Sequence, residues 1–372
     1  MTSDIVILGA GLSGLLVANA LFRQGFSVSV YESEERSASG GAARVAAAML
    51  APATESVDAD PTVVSLGLRS LELWPAILSE LSAPVFFQQK GTLVLWHPQD
   101  RDQAGLFQSR LNRTSASLDL QAQPIYLDAA GIDALEPSLE HRFSQAIFLP
   151  NEGQLDNRGL LESLMDTLLG CGVSIHWGEA RTPEEFSARW IIDCRGLGAR
   201  PDINTLRGVR GEVLRVQTTE VSLNRPIRLL HPRYPIYIAP KPNGVYVVGA
   251  TQIEAEDRSA PSVRSALELL SALYTVHPAF GEARILEMGA QCRPALPDNR
   301  PRIAWDGSRV ISINGLYRHG FMIAPAVVEQ ALELLTVLNQ NPQDLGPWLS
   351  KKTTDYIFDG PLSPPEHYEY IH

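Results

Sequence analysis

The chain has 372 residues, of which 45% are hydrophobic and 20% charged, and its formal net charge is −11. That is the composition of an ordinary soluble globular protein, with enough chain for a large core and two or three domain-sized units. The acidic balance argues against nucleic acid, whose phosphates need a basic surface, and against docking on anionic lipid.

In chain order, Ile5-Val6-Ile7-Leu8 reads as a strand and Gly9-Ala10-Gly11-Leu12-Ser13-Gly14 as a glycine turn. The apolar run to Phe22 reads as a helix, and Val28 to Glu32 as a second strand ending in an acid. This is the βαβ unit that grips a dinucleotide. Gly9 lets the chain turn out of the strand, Gly11 lets a pyrophosphate approach the backbone, and Gly14 lets the helix pack closely on the sheet. The helix start offers unpaired N–H groups and partial positive charge to phosphates. Glu32 is spaced to accept hydrogen bonds from a ribose diol and would repel a 2′-phosphate, which disfavours NADP.

Ser33 to Ala53 is a small-residue segment that includes Ala46, Ala47 and Met49. It reads either as an Ala-rich core helix or as backbone passing close to a flat cofactor, and its glycine-rich entry favours the second. Pro61 to Leu81 predicts a helix, with Val64, Leu68, Leu71, Trp74 and Leu78 on one face. Gly91 to Trp96 and Ala146 to Leu149 predict strands, and His97 to Ala130 is irregular or helical. Asn157 to Leu169 predicts a helix with Asn157 as N-cap. Val173 to Trp177 and Trp190 to Asp193 predict strands. The second of these is buried and ends at Cys194-Arg195-Gly196, where a ligand would sit in an open α/β sheet; an ordinary tight loop reads equally well.

From Gly211 the texture changes. Glu212–Val216, Ile227–Leu230, Ile236–Ala239 and Val245–Gly249 are short β runs separated by Pro, Asn and Gly, as in an antiparallel second layer. A helix over Ser262–Tyr274 and a strand over Ile285–Cys292 follow. Arg293 to Pro301 reads as a stiff loop and Arg309 to Ile313 as a strand. Gly315 to Gly320 is a turn, and Phe321 onward leads into a helix with Pro325 near its first turn. The tail from Lys351 is expected to be loosely held.

Cys171, Cys194 and Cys292 are odd in number and widely spaced, which suggests reduced thiols in a cytoplasm. The start lacks a basic n-region, so neither a signal peptide nor a membrane span is expected. The histidines form no metal-spaced cluster, and no metal is expected.

The opening βαβ unit resembles the D-amino-acid oxidase superfamily of flavoproteins, in particular its glycine oxidase branch serving thiamine biosynthesis. So do Ala46 to Pro52, Gly208 to Leu214, Tyr237 to Pro240, Val247 to Thr251, Arg293-Pro294 and Gly315 to Ala326. The resemblance implies FAD and an α/β, two-domain, discontinuous fold. Residues 1–80, 149–210 and 293–350 would form a Rossmann-like FAD-binding domain. Residues 81–148 and 211–292 would form an antiparallel-sheet substrate domain, and 351–372 a tail.

It also implies site residues. Arg293 would anchor the substrate carboxylate, Tyr237 would add a hydroxyl contact to it, and Arg318 would lie near the flavin. Arg293 also reads as a surface ion pair. The cofactor side would comprise Gly9, Ala10, Gly11, Leu12, Ser13, Gly14, Glu32, Ala46, Ala47, Met49, Cys194, Gly196, Arg318, His319, Gly320, Phe321 and Met322. His319 stands where the family carries asparagine and has no assigned role. Gln252 stands where some glycine oxidases carry methionine, which bears on substrate range. The implied reaction oxidises glycine, sarcosine or small D-amino acids with molecular oxygen, giving from glycine glyoxylate, ammonia and hydrogen peroxide. Three other readings stay open: an amine dehydrogenase of the same superfamily passing electrons to a quinone, an NAD-dependent oxidoreductase, and a non-catalytic flavin binder. A homo-oligomer also stays open.

Overall fold

The computed structural model describes residues 4–36, 41–117, 123–233, 235–352 and 356–361. The first strand, Ile5–Leu8, lies between Val28–Tyr31 and Trp190–Asp193, and Val310–Asn314 and Ser174–His176 extend the parallel array on either side. Ile5 and Ile7 point into a core of helices, while Val6 and Leu8 pack with Ile191 on the opposite face. Burial on both faces is why these strands read as continuous apolar runs. Leu12–Arg23, Pro61–Ser79, Asn157–Gly170 and Gly320–Gln340 supply that helical core. By length and composition the last could cross a membrane, but it is largely buried here against the first two.

The second sheet has eight strands, in the order 284–295, 207–217, 245–249, 236–241, 227–230, 92–96, 145–149 and 125–128. All neighbours are antiparallel except Ile227–Leu230 beside Thr92–Trp96, which run parallel because they come from separate passes of the chain. A small three-stranded sheet of Met49–Leu50, Gly153–Leu155 and Phe87–Gln88 accompanies these two.

Several local expectations change. The helix Arg101–Ser117 buries only a narrow stripe, Ala104, Phe107 and Leu111, so its periodicity was faint against a polar background. Asp156, not Asn157, caps the next helix, accepting from the Gly159 N–H at 3.3 Å. The Asn157 amide instead donates to the Ala43 and Arg44 carbonyls, both at 2.9 Å, and ties that helix to the small-residue segment. Arg293 and Pro294 belong to the strand Arg284–Ala295 rather than to a loop. That strand lies at the sheet edge, where a residue without an N–H is tolerated.

Pro325 lies inside the helix Gly320–Gln340, just past its first turn. Proline cannot donate to the carbonyl four residues back. That carbonyl, of Phe321, instead accepts from Trp74 Nε1 at 3.1 Å. Part of the expected loose tail, Phe358–Asp359, pairs with Arg302–Trp305; residues 353–355 and 362–372 lie outside the described residues.

Candidate active site

A cavity of about 1050 Å³ is lined by residues from both large sheets. One end is built on the glycine turn. Gly9 has φ +95, and a Cβ there would lie 2.6 Å from the Cys194 carbonyl oxygen, so only glycine makes this turn. Gly11 faces open space. It precedes the helix Leu12–Arg23, whose first turn has no side-chain cap and no acidic residue. The unpaired N–H groups of that turn are therefore left for a ligand. Gly14 is absent from the cavity wall. A Cβ on it would meet the Gly9 carbonyl oxygen at 1.9 Å, so the close packing of helix on turn requires glycine here.

Glu32 is held in place: Oε2 accepts from the Ala10 N–H at 2.7 Å, and Oε1 from Ser33 Oγ at 3.0 Å and the Glu34 N–H at 3.1 Å. A carboxylate has about four acceptor sites, so about one remains for a ribose hydroxyl. Cys194 and Gly196 complete this end. Burial, helped by the Asp193 charge, pushes the Cys194 thiol far up, so it stays neutral and is no nucleophile.

The small-residue segment is not one continuous core helix. Ala42–Val45 makes one short turn, and Met49–Leu50 forms a strand. Ala46, Ala47 and Met49 line the cavity. Lys241 braces them from behind, its Nζ donating to the Ala47 carbonyl at 2.9 Å, the Leu155 carbonyl at 2.7 Å and Gln154 Oε1 at 3.1 Å. Burial pulls this ammonium down to about 7.

The other end is built from charged side chains. Arg293 is half-buried, and its guanidinium donates to the Thr251 carbonyl from Nη1 at 3.2 Å and Nη2 at 3.3 Å, with a longer contact to the Arg210 carbonyl at 3.4 Å. It pairs with no carboxylate among the described residues, which removes the surface ion-pair reading. Gly211 makes room for it, since a Cβ there would lie 2.0 Å from Arg293 Nη2.

Arg318 lies in the turn Tyr317–His319, followed directly by the helix Gly320–Gln340. That helix also starts without a side-chain cap or an acid, and Gly320, Phe321 and Met322 line the cavity. Arg318 pairs with Glu55 at 2.8 Å and reaches Gln252 Oε1 at 3.3 Å. His319 Nε2 lies 3.1 Å from both Arg318 Nε and Glu55 Oε2; it can accept from one or donate to the other, not both.

Tyr237 donates its hydroxyl hydrogen to Glu55. The phenol's one donor thus goes to Glu55, and its lone pairs remain for a ligand. Burial pushes the phenol far up and keeps it neutral.

Glu55 is the residue that sequence reasoning missed. It is only 8% exposed and accepts from Tyr237 and Arg318. Burial would raise its carboxyl, but the Arg318 guanidinium, with His319 and Arg228, more than offsets this and holds it well below the usual range. Its sequence signal was slight, a lone acid closing the apolar run Ala46 to Thr54.

Comparison with known proteins decides the family. The model for DAO, FAD dependent oxidoreductase, matches residues 4–334. The chain belongs to this family. Over 337 residues it is 42% identical to the protein named thiamine biosynthesis oxidoreductase ThiO in Rhizobium etli, covering 90% of this chain and 98% of that one. It is 23% identical to the bifunctional protein ThiO/ThiG of Trichormus variabilis over 92% of this chain, but spans only 54% of that relative. The crystal structure of glycine oxidase from Geobacillus kaustophilus has the same fold, with a TM-score of 0.77 at 21% identity and coverage of 99% and 100%.

As a DAO-family enzyme the chain binds FAD, and its residues fit that cofactor. Open space lies above Gly11, and two uncapped helix starts and the fixed Glu32 carboxylate belong to the one cavity. Among the described residues no cluster could hold a metal ion.

Proposed function

We propose that the chain oxidises glycine, with sarcosine and small D-amino acids as further candidates, in thiamine biosynthesis in the cytoplasm. The observation that carries this reading is Arg293, a guanidinium bound to backbone carbonyls, with no carboxylate partner among the described residues, in a cavity fit for a flavin. A planar guanidinium can hold a carboxylate through two parallel hydrogen bonds, fixing its place and orientation. The likeness to ThiO supports the pathway.

Glu32 and the first turn of Leu12–Arg23 would hold the ribose and pyrophosphate of FAD. The first turn of Gly320–Gln340 would meet the flavin ring and favour negative charge there. FAD, when bound, supplies the two-electron acceptor. Arg293 positions the substrate so that its α-carbon faces the ring. The Tyr237 lone pairs accept from the amine N–H, and Glu55 keeps Tyr237 oriented. Glycine, oxygen and water give glyoxylate, ammonia and hydrogen peroxide.

The test is a spectrum of the purified yellow protein under argon. Glycine should bleach the flavin band, and admitting air should restore it with release of peroxide. A band that glycine leaves unchanged overturns the reading. Bleaching that air does not reverse points to the dehydrogenase.

A further inference from the structure

Nearly all of the 31 basic residues of the chain are arginines; the lysines are Lys90, Lys241, Lys351 and Lys352. Of these four, only Lys241 is buried. A guanidinium keeps its proton at any pH the fold survives, whereas a buried ammonium can give its proton up. The one interior lysine therefore stands out, and the reaction as derived so far makes no use of it.

Lys241 ends the strand Ile236–Lys241 of the eight-stranded sheet and reaches across to the three-stranded sheet. There it bonds to Gln154 and Leu155 of the strand Gly153–Leu155, and its remaining bond goes to the Ala47 carbonyl. Ala47 lines the cavity, and Lys241 stands behind it. All three acceptors are neutral oxygens, so the donors of the ammonium are satisfied while its charge is not. Asp156, before the helix Asn157–Gly170, favours that charge; Arg215, two strands away in the sheet, opposes it; and burial outweighs both. Burying an ammonium without an anion is costly. An anion formed on the other side of the Ala47 peptide would supply the missing partner. The wall that Lys241 braces continues to Glu55 and so runs between the nucleotide end and the Arg293 end, where the ring of FAD would lie.

We propose that Lys241 is a positioning residue for the flavin that also sets its redox potential. Its hydrogen bonds fix the backbone of residues 46–49 against the ring, and its positive charge favours the negative charge that reduction places there. The two effects are coupled to solvent: as the ring gains two electrons, Lys241 takes up a proton from water wherever it was not already charged. The inference rests on FAD lying in the cavity and not on which amine is oxidised.

The midpoint potential of the holoenzyme is measured by dithionite titration against a reference dye. Lys241→Gln keeps a donor for the Ala47 carbonyl without the charge, Lys241→Met removes both, and Lys241→Arg keeps the charge. At about pH 6 the Gln and Met variants should favour oxidised over reduced flavin about tenfold more than the wild type does, a midpoint lower by about 30 mV for a two-electron couple. Lys241→Arg should recover part of this. The gap should close by about pH 9, where the wild-type lysine is neutral as well. A brace without an electrostatic role would leave Lys241→Gln at the wild-type potential, or give a gap indifferent to pH, and either result overturns the proposal. The wild type alone gives a second reading, since its four lysines are few enough to follow by carbon-13 NMR of their ε-carbons. One of them should titrate at about pH 7 with the flavin oxidised and at about pH 8 with it reduced, the same tenfold coupling seen from the lysine side. A lysine midpoint that reduction leaves unmoved overturns the proposal even where a variant fails to fold or to hold FAD. Glycine enters neither measurement, so failure of the glycine reading and failure of this inference are told apart.

Discussion

The two ends of the cavity are built in opposite ways. At the nucleotide end the donors are backbone N–H groups of one contiguous stretch, Gly9 to Glu32, and its carboxylate is already tied to the backbone at Ala10 and Glu34. At the other end the donors are long side chains from strands and turns far apart in sequence: Glu55 holds Arg318 and Tyr237, and backbone carbonyls hold Arg293. The first end is rigid because its chemistry is main chain. The second is tunable, since each guanidinium can be exchanged without rebuilding a fold element.

The largest effect should come from breaking the tunable end at its anchor. Arg293→Ala removes two charge-assisted hydrogen bonds, each worth about 1.5–3 kcal/mol. The kcat/KM for glycine should fall by roughly two to four orders of magnitude while the bound-flavin spectrum persists. The rigid end should break differently. Gly14→Ala drives a Cβ into the Gly9 carbonyl oxygen, a backbone atom that cannot step aside. Overpacking of this kind costs about 1–3 kcal/mol. It should lower the denaturant midpoint and FAD content together, with kcat per bound flavin little changed.

Glu55→Gln sharpens the contrast through pH. A carboxyl depressed in the folded state adds stability above its unfolded pKa and loses it as pH falls through the folded value. The wild type should therefore exceed the variant in urea stability at neutral pH, and the gap should narrow steadily below about pH 4. Lys241 gives a signal of the same sign in a higher pH window. Its pKa falls from 10.5 to about 7 on folding, so the unfolded chain binds more protons between those values and stability rises with pH there. Unfolding measured from pH 7 to 10 should show that rise in the wild type and less of it in Lys241→Met.

What was legible follows from the same contrast. The βαβ unit could be read because burial on both faces, the glycine spacing and the terminal acid all lie within one short window. Arg293 and Arg318 could be placed only through resemblance to a family, since nothing local distinguishes a buried guanidinium from a solvated one. Glu55 escaped notice because a carboxylate in the four-residue helix Pro52–Glu55 looks like surface until Tyr237, from far along the chain, is brought against it. The purpose of Gly211 depends on where the Arg293 side chain crosses the sheet, which no local pattern shows. The edge position of Arg284–Ala295, which lets a proline sit in a strand, is likewise a property of the assembled sheet.

The weaving of the chain has a consequence for biosynthesis. Ile5–Leu8 leaves the ribosome well before its partner Trp190–Asp193, and that strand in turn waits for Val310–Asn314. The cavity wall is completed only when Met322 has emerged. A nascent polypeptide therefore has no finished cradle to offer a cofactor until residue 322 has been made, and flavin capture follows that point.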